Sequence, residues 1–244
     1  MSRALGGRAR RLLEFAQTQS AWLRPFAILL ALFFFGDLSA APGRSLLPVY
    51  NEDVLGRAPD FASLLVSARL LSAGVAAFVS GALSDALGQR RVVLLGLSGL
   101  PVVSLVFLTG SPVALLGLSV YAGFAGGAYY LGADSYTLAT VPPHYLGLAA
   151  ALIFTGPTLG GAAGNSLSGL ILEGHGFRVL GLAGAALGTM VFLAGVLFMP
   201  DTRGQAHGLN SAQSLSGYGT IIRRPPVLLL GALRFVPTAY WGTA

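Results

Sequence analysis

Two ionisable side chains lie inside long apolar segments of this sequence, where a charge is costly to bury. Asp37 interrupts the apolar segment that begins at Phe26, and Arg69 lies in the next segment, which begins at Phe61. Placing such a charge in a bilayer costs at least about 2.5 kcal/mol, so intramembrane charges usually serve a purpose. Helix rise places both residues at similar depth. The sequence therefore predicts an Asp37–Arg69 pair, which acts either as a proton-binding site or as a static pair that orients two helices.

Other polar side chains lie within or beside the apolar segments. Asp134 is predicted to face Arg90 or Arg91, and Arg44 is predicted to extend outward to the membrane surface. Three tyrosines and one asparagine are predicted either to line a substrate path or to serve packing alone. They are Tyr121, Tyr129, Tyr130 and Asn165.

The composition is that of a membrane protein. Hydrophobic residues make up 54% of the 244 residues and charged residues only 10%, and the mean hydropathy is +0.72. Soluble proteins average roughly 25% charged residues. The arginines are scattered between apolar segments rather than gathered on one face, so we expect no nucleic-acid partner. The absence of cysteine excludes disulfides and thiolate metal sites.

Apolar runs of about 20 residues, the length that crosses a bilayer, predict six complete spans. They cover residues 26–50, 61–83, 92–109, 113–138, 145–172 and 179–199. Turn residues separate the spans, among them Asn51-Glu52-Asp53, Gly88-Gln89 and Gly174-His175-Gly176. The backbone must satisfy its own hydrogen bonds in lipid, which favours helices. The predicted fold is an all-α polytopic transmembrane bundle. It comprises a basic amino-terminal segment (1–25), six helices (26–200), a central cytoplasmic loop (201–225) and an incomplete seventh helix (226–244).

The arginines predict the orientation. They concentrate before the first span, in the loop with Arg90 and Arg91, and after the sixth span. The positive-inside rule then places the amino terminus in the cytoplasm. We expect the protein in the plasma (inner) membrane. The basic amino-terminal segment is predicted to be either an interfacial helix on the inner leaflet or a flexible tail.

The loop GALSDALGQRR, between the second and third spans, resembles the signature of the major facilitator superfamily. The matching positions are Gly81, Asp85, Gly88, Arg90 and Arg91. Ala86 and Gln89 stand where the family usually has basic residues. The resemblance implies a gate in which Asp85 latches onto the carboxy-terminal half and favours the outward-facing state. An ordinary solvated loop is the alternative. Asp134 is predicted either to take part in this gate or, as we favour, to have a structural role.

A second motif, Gly156-Pro157-Thr158-Leu159-Gly160-Gly161 in the fifth span, resembles the core of the superfamily's antiporter motif. Leu152 stands where the family has a further glycine, and residues 119–122 of the fourth span lack the arginine of many export members. Gly156, Gly160 and Gly164 recur every four residues, which predicts close contact with a neighbouring helix. Pro157 permits a bend.

The resemblance covers about residues 26–244 and implies the amino-terminal half of an ion-coupled secondary transporter. The function it favours is proton-coupled efflux (antiport) of small molecules, with a proton-coupled importer and a non-functional half-transporter as alternatives. The implied partners are the lipid bilayer, a small-molecule substrate, protons and a missing C-terminal six-helix half, to which Arg234 would belong. We expect no cofactor, metal or catalytic residue. Ser98, in Gly96-Leu97-Ser98-Gly99, could be the nucleophile of an intramembrane serine protease only if a membrane-embedded histidine activated it, and all histidines fall in loops.

The intact mass of the natural protein tests the expectation that this sequence is half of a transporter. Superfamily members bind substrate between two six-helix halves. We therefore expect the protein extracted from its native membrane to have a mass of about twice the 25.0 kDa of this sequence. A mass of 25.0 kDa would instead indicate a true half-transporter.

Overall fold

A computed structural model describes residues 2–201, 225–226 and 229, with side chains described from Trp22 onward. The predicted central loop and incomplete seventh helix, including Arg234, therefore lie almost wholly outside the described residues. Within the described part every regular element is helical, which confirms the predicted all-α fold.

Seven α-helices follow one another along the described chain. They are α1 (Ser2–Ser45), α2 (Leu47–Val49), α3 (Pro59–Leu87), α4 (Gln89–Leu97), α5 (Gly99–Leu105), α6 (Pro112–Thr140) and α7 (Leu146–Phe198). A π-helix (Tyr50–Val54) extends α2, and 3-10 turns follow α5 (Val106–Leu108) and precede α7 (Pro143–Tyr145). They group into five helical segments long and apolar enough to cross a membrane.

Gly176 divides α7 into two arms. Its φ of 74° is unfavourable for residues with a Cβ, and it interrupts the helix within the predicted Gly174-His175-Gly176 turn. Residues 146–175 extend about 45 Å as helix and residues 177–198 about 33 Å. Each arm is therefore long enough to cross about 30 Å of hydrocarbon alone.

The two arms of α7 run in opposite directions along α1. Away from Gly176 on either side, glycines of α7 contact α1 progressively nearer its amino terminus. The contacting pairs are Gly164 with Leu38, Gly156 with Leu30, Gly184 with Ser39 and Gly195 with Leu32. The chain therefore reverses at Gly176, and the five helical segments make six passes through the bundle.

The first long segment ends later than predicted. The helical backbone continues through Asn51 to Val54, and the break falls at residues 55–58, where Gly56 has a φ of 62°. Leu55 N–H donates to the Tyr50 carbonyl at 3.2 Å, and the Asn51 side chain is fully buried. The predicted turn residues Asn51 to Asp53 thus lie in a π-helical extension, which is closed by backbone hydrogen bonds.

Helix α1 begins at Ser2 and continues through Pro25 into the first membrane segment. The backbone of the amino-terminal segment is therefore helical, as in the first of the two predicted alternatives. Its position on the inner leaflet stays a prediction. Ser98 divides the third predicted span into α4 and α5, and its hydroxyl donates to the Leu95 carbonyl at 2.6 Å.

The two largest of three clusters of buried apolar side chains in the described residues hold most of the helices together. The larger one joins α1, α4, α5, α6 and α7 and includes Leu29, Phe33, Val93, Leu97, Leu100, Tyr129, Ile153 and Val191. The smaller one lies at the end of the bundle that carries the Gly56 loop. There the rings of Tyr50, Phe107 and Phe177 contact one another with centroids 5.2 to 5.4 Å apart.

The outward faces of the helices are apolar, as a bilayer requires. Leu71 on α3 and Leu170 and Leu197 on α7 are among the most exposed large hydrophobic residues of the described chain. Only 17% of the apolar window of α3 is buried, against 61% for the first segment. Helix α3 is thus the most peripheral of these segments.

The predicted glycine stripe packs against α1. A Cβ at Gly160 would overlap the Phe34 carbonyl, and a Cβ at Gly164 would overlap that of Leu38. A Cβ at Gly156 would lie 3.3 Å from the Leu30 carbonyl oxygen. The prediction of close helix contact is confirmed, and the contact depends on the absence of side chains at these positions.

A matched pair of glycine substitutions tests this contact. Gly164→Ala places a methyl group against the Leu38 backbone, whereas Gly169→Ala, on the same arm, meets no atom within 4 Å. We expect Gly164→Ala to destabilise the protein by about 1–3 kcal/mol through overpacking. Gly169→Ala should be neutral or stabilise it by up to about 1 kcal/mol. Thermal unfolding of the purified protein in detergent measures both, and equal stabilities would contradict the described packing.

Candidate functional site

A cavity of about 200 Å³ opens among α1, α3, α4, α5 and α6. Its charged lining residues are Asp37 and Arg44 from α1 and Arg69 from α3. Tyr129 and Tyr130 of α6 add aromatic rings, and alanine, glycine, leucine and valine form the remainder. The cavity is therefore an apolar space that contains one carboxylate and two guanidinium groups.

Asp37 is the buried acid of this cavity, with only 3% of its surface exposed. Its Oδ1 accepts a hydrogen bond from Arg44 in an ion pair. The Tyr130 hydroxyl donates to the same carboxylate, at 3.3 Å from Oδ2 and 3.5 Å from Oδ1. The carboxylate thus has both a counterion and a neutral donor, as a buried charge requires.

The partner of Asp37 differs from the predicted one. Among the described residues its ion pair is with Arg44 rather than Arg69, and Arg44 extends into the bundle instead of outward. Arg44 follows Asp37 by seven residues, which puts both on one face of α1, two turns apart. A long guanidinium side chain can cover that separation without leaving its helix.

Arg69 nevertheless lies in the same cavity. A Cβ at Gly123 of α6 would overlap the Arg69 carbonyl and the Ser72 hydroxyl, so Gly123 allows α3 to approach α6 here. Arg44 and Arg69 each lie ten residues from the Gly56 loop, before Val54 and after Pro59 respectively. The two guanidinium groups therefore enter the cavity at the same depth.

The predicted aromatic residues have different roles. Tyr129 is buried, donates to the Leu32 carbonyl at 2.9 Å and stacks on Phe33 with centroids 4.3 Å apart. It therefore serves packing. Tyr130, which is 37% exposed, is the tyrosine that reaches Asp37.

Two other candidates lie outside the cavity lining. The Tyr121 hydroxyl hydrogen-bonds to the Ser98 hydroxyl at 2.7 Å. The Asn165 Oδ1 accepts a hydrogen bond from Ser45 at 2.8 Å, which joins α7 to α1. The structure thus gathers Asp37, Arg69 and Tyr130 and leaves Tyr121 and Asn165 apart from them.

The loop between α3 and α4 reverses the chain at Gly88, which is buried and has a φ of 89°. Arg90 donates to the Val196 carbonyl at 2.7 Å and thereby ties α4 to the second arm of α7. Asp85 and Arg91 are exposed beside the loop. Asp85 is thus accessible to a partner.

The structure gives the location of the remaining residues of the two sequence motifs. Gly81 is half-buried in α3, and Asp134 is exposed on α6. The contact of Asp134 with Arg90 or Arg91 stays a prediction. Pro157 lies inside the first arm of α7, and a Cβ added at Gly161 would lie 3.7 Å from the Ala41 Cβ of α1.

Arg44 is the site residue that sequence reasoning misplaced. Its distance from Asp37 of seven residues was a usable signal, because such a separation returns to the same helix face. That signal was outweighed by the rule that a terminal arginine extends toward the membrane surface.

Known proteins are similar to this chain. Residues 14–244 match the family described as Major Facilitator Superfamily. The chain is 28% identical over 124 residues to the gallate transporter of Pseudomonas putida. The matched segment covers 50% of the chain and 28% of that relative. It is 25% identical over 187 residues to the tetracenomycin C resistance and export protein of Streptomyces glaucescens, covering 75% and 34% respectively. The chain matches about a third of the length of these curated relatives.

A double-mutant cycle tests the Asp37–Arg44 pair. Removing one partner of a buried pair costs about 3–5 kcal/mol because the other charge is left uncompensated. We expect Asp37→Ala and Arg44→Ala each to destabilise the purified protein, with a coupling energy of about 0.5–3 kcal/mol in the double variant. A parallel cycle of Asp37→Ala with Arg69→Ala should be closer to additive. Denaturation in detergent micelles measures both, and a larger coupling to Arg69 would favour the Asp37–Arg69 pair instead.

Proposed function

The chain belongs to the major facilitator superfamily, and we propose that it carries the proton-coupling site of a secondary transporter for small organic molecules. The observation that carries this proposal is the buried Asp37 carboxylate, held by Arg44 and Tyr130 at the edge of a cavity. A carboxylate in such a place can bind a proton and respond to a change in its neighbours.

In this proposal the Asp37–Arg44 pair is the element that a proton changes. Protonation of Asp37 cancels its charge and releases Arg44 from the ion pair. The charge of the cavity then rises by one, and Tyr130 loses a charged acceptor. Such a change alters the affinity of the cavity for a charged or polar substrate, which is the requirement for coupling.

We propose export in exchange for protons as the first direction. The Gly156-Pro157 and Gly160-Gly161 motif supports it, because this part of α7 packs closely along α1, the helix that carries Asp37. The similarity to a protein named for resistance and export extends over 75% of the chain. A bend at Pro157 would then be transmitted directly to the coupling residue.

Uptake together with protons is the second candidate. Two guanidinium groups face one carboxylate in the cavity, so a proton on Asp37 would increase its positive charge and its attraction for an anion. Proton and anion would then bind together, which is the linkage expected of cotransport. The similarity to a protein named as a gallate transporter supports this alternative.

The gate and the setting complete the proposal. Asp85, with Arg90, Arg91 and Asp134, would form a gate at the Gly88 loop against a C-terminal six-helix half. We propose a multi-pass protein of the plasma (inner) membrane with its amino terminus in the cytoplasm. Substrate would bind in the Asp37 cavity, which in this proposal opens to the face between the two halves.

Transport by the natural protein in liposomes tests the role of Asp37. With labelled gallate and tetracenomycin C as probes, an imposed pH gradient should drive accumulation of at least one of them. Asp37→Asn should reduce this accumulation to the level of empty liposomes, because the variant cannot carry the proton. Exchange of labelled for unlabelled probe without a gradient should continue, which shows that the variant is folded.

Glu173→Gln is the matched control, since it removes a carboxylate of α7 outside the cavity. It should transport like the unchanged protein. Gradient-driven accumulation that persists in Asp37→Asn would remove Asp37 from the coupling site. The sign of the gradient that drives accumulation decides between exchange and cotransport.

A further inference from the structure

We infer that Arg69 is the binding residue for the carboxylate of a small organic anion in the cavity. This inference deepens the proposed function, because it takes the cavity as the substrate site and names the class of substrate. It concerns the charge preference of the cavity and holds for either direction of transport.

The lining of the cavity carries excess positive charge. Its ionisable lining residues are one acid, Asp37, and two arginines, Arg44 and Arg69, so the lining has a net charge of +1 with all three ionised. The other lining residues are uncharged. An apolar space with excess positive charge attracts an anion and disfavours a cation.

The second step distinguishes the two arginines. Arg44 is already engaged with the Asp37 carboxylate. Arg69 has no ion pair with a carboxylate among the described residues, and its electrostatic neighbour in the cavity is the like-charged Arg44. A bound carboxylate would give Arg69 a counterion and reduce the repulsion between the two guanidinium groups.

The shape of Arg69 and of its surroundings completes the argument. A planar guanidinium can donate two parallel hydrogen bonds to a carboxylate. Gly126 also lines the cavity, and a Cβ added there would meet no atom within 4 Å, so the space beside it is open. Tyr130 offers a partly exposed ring. These features suit an acid whose apolar body is about the size of one ring and packs on Tyr130.

Equilibrium binding of three probes of one shape tests the inference. Benzoate, benzamide and benzylamine carry a negative, a neutral and a positive group on the same ring. Binding of each to the purified natural protein in detergent is measured without any pH gradient. We expect benzoate to bind about 10- to 100-fold more tightly than benzamide, the value of a charge-assisted hydrogen bond, and benzylamine to bind most weakly.

Variants assign the preference to Arg69. Arg69→Gln should remove the preference for benzoate over benzamide. Arg178→Gln, which removes an arginine outside the cavity, should keep it. Asp37→Asn raises the charge of the cavity and frees Arg44, so it should tighten benzoate binding, an effect opposite in sign to that of Arg69→Gln. If Arg69→Gln is not recovered folded, Arg69→Lys carries the test, because it keeps the charge but loses the two parallel hydrogen bonds and should reduce the preference for benzoate.

Several results would overturn the inference. They are equal or weaker binding of benzoate relative to benzamide, a preference for benzylamine, an unchanged preference in Arg69→Gln, or no tightening in Asp37→Asn. Because the assay uses no gradient, its failure leaves proton-coupled transport by Asp37 intact. Conversely, anion binding without proton-driven transport would contradict the proposed function alone.

Discussion

A buried carboxylate in an apolar helix bundle needs a cation within reach, and Arg44 on the same helix meets that need for Asp37. The pair is internal to α1, so it does not depend on how the other helices are placed. Tyr130 of α6 adds a second donor from across the cavity. The carboxylate thereby has the counterion and the hydrogen-bond donor that a buried charge needs in an apolar bundle. Arg69 consequently lies in the same cavity without serving as the counterion of Asp37.

Close contact between helices forms the walls around this pair. Where α7 crosses α1, glycines bring the two backbones together, and where α6 meets α3, Gly123 does the same. Helix α4 likewise lies close to α6 at Gly96, since the glycine has no Cβ and an added one would overlap the backbone of Tyr129. Van der Waals packing of this kind replaces the hydrophobic driving force that helices lack in lipid. The cavity is the region between these contacts where side chains are small or absent.

The sequence predicted much of the fold because apolar length and turn residues report directly on membrane crossing. The reversals at Gly88 and Gly176 fall where turn residues predicted them. The end of the first segment did not, since a π-helical extension through Asn51 depends on tertiary burial that no local pattern records. Within the site, the presence of Asp37 and Arg69 in one cavity was predictable from depth, whereas nothing in the sequence distinguished Tyr130 from Tyr121. Depth alone could not decide which arginine pairs with Asp37, because that depends on helix rotation.

The distribution of packing also suggests which part of the site can move. Asp37 and Arg44 lie on α1, whose apolar window is 61% buried, whereas Arg69 lies on α3, where the value is 17%. Elements with few buried contacts open and shift at lower free-energy cost than well-packed ones. A displacement of α3 would therefore move Arg69 relative to a fixed Asp37–Arg44 pair, and with it the Gly88 loop at the end of the same helix. The cavity charge and the proposed gate would then be linked through one helix.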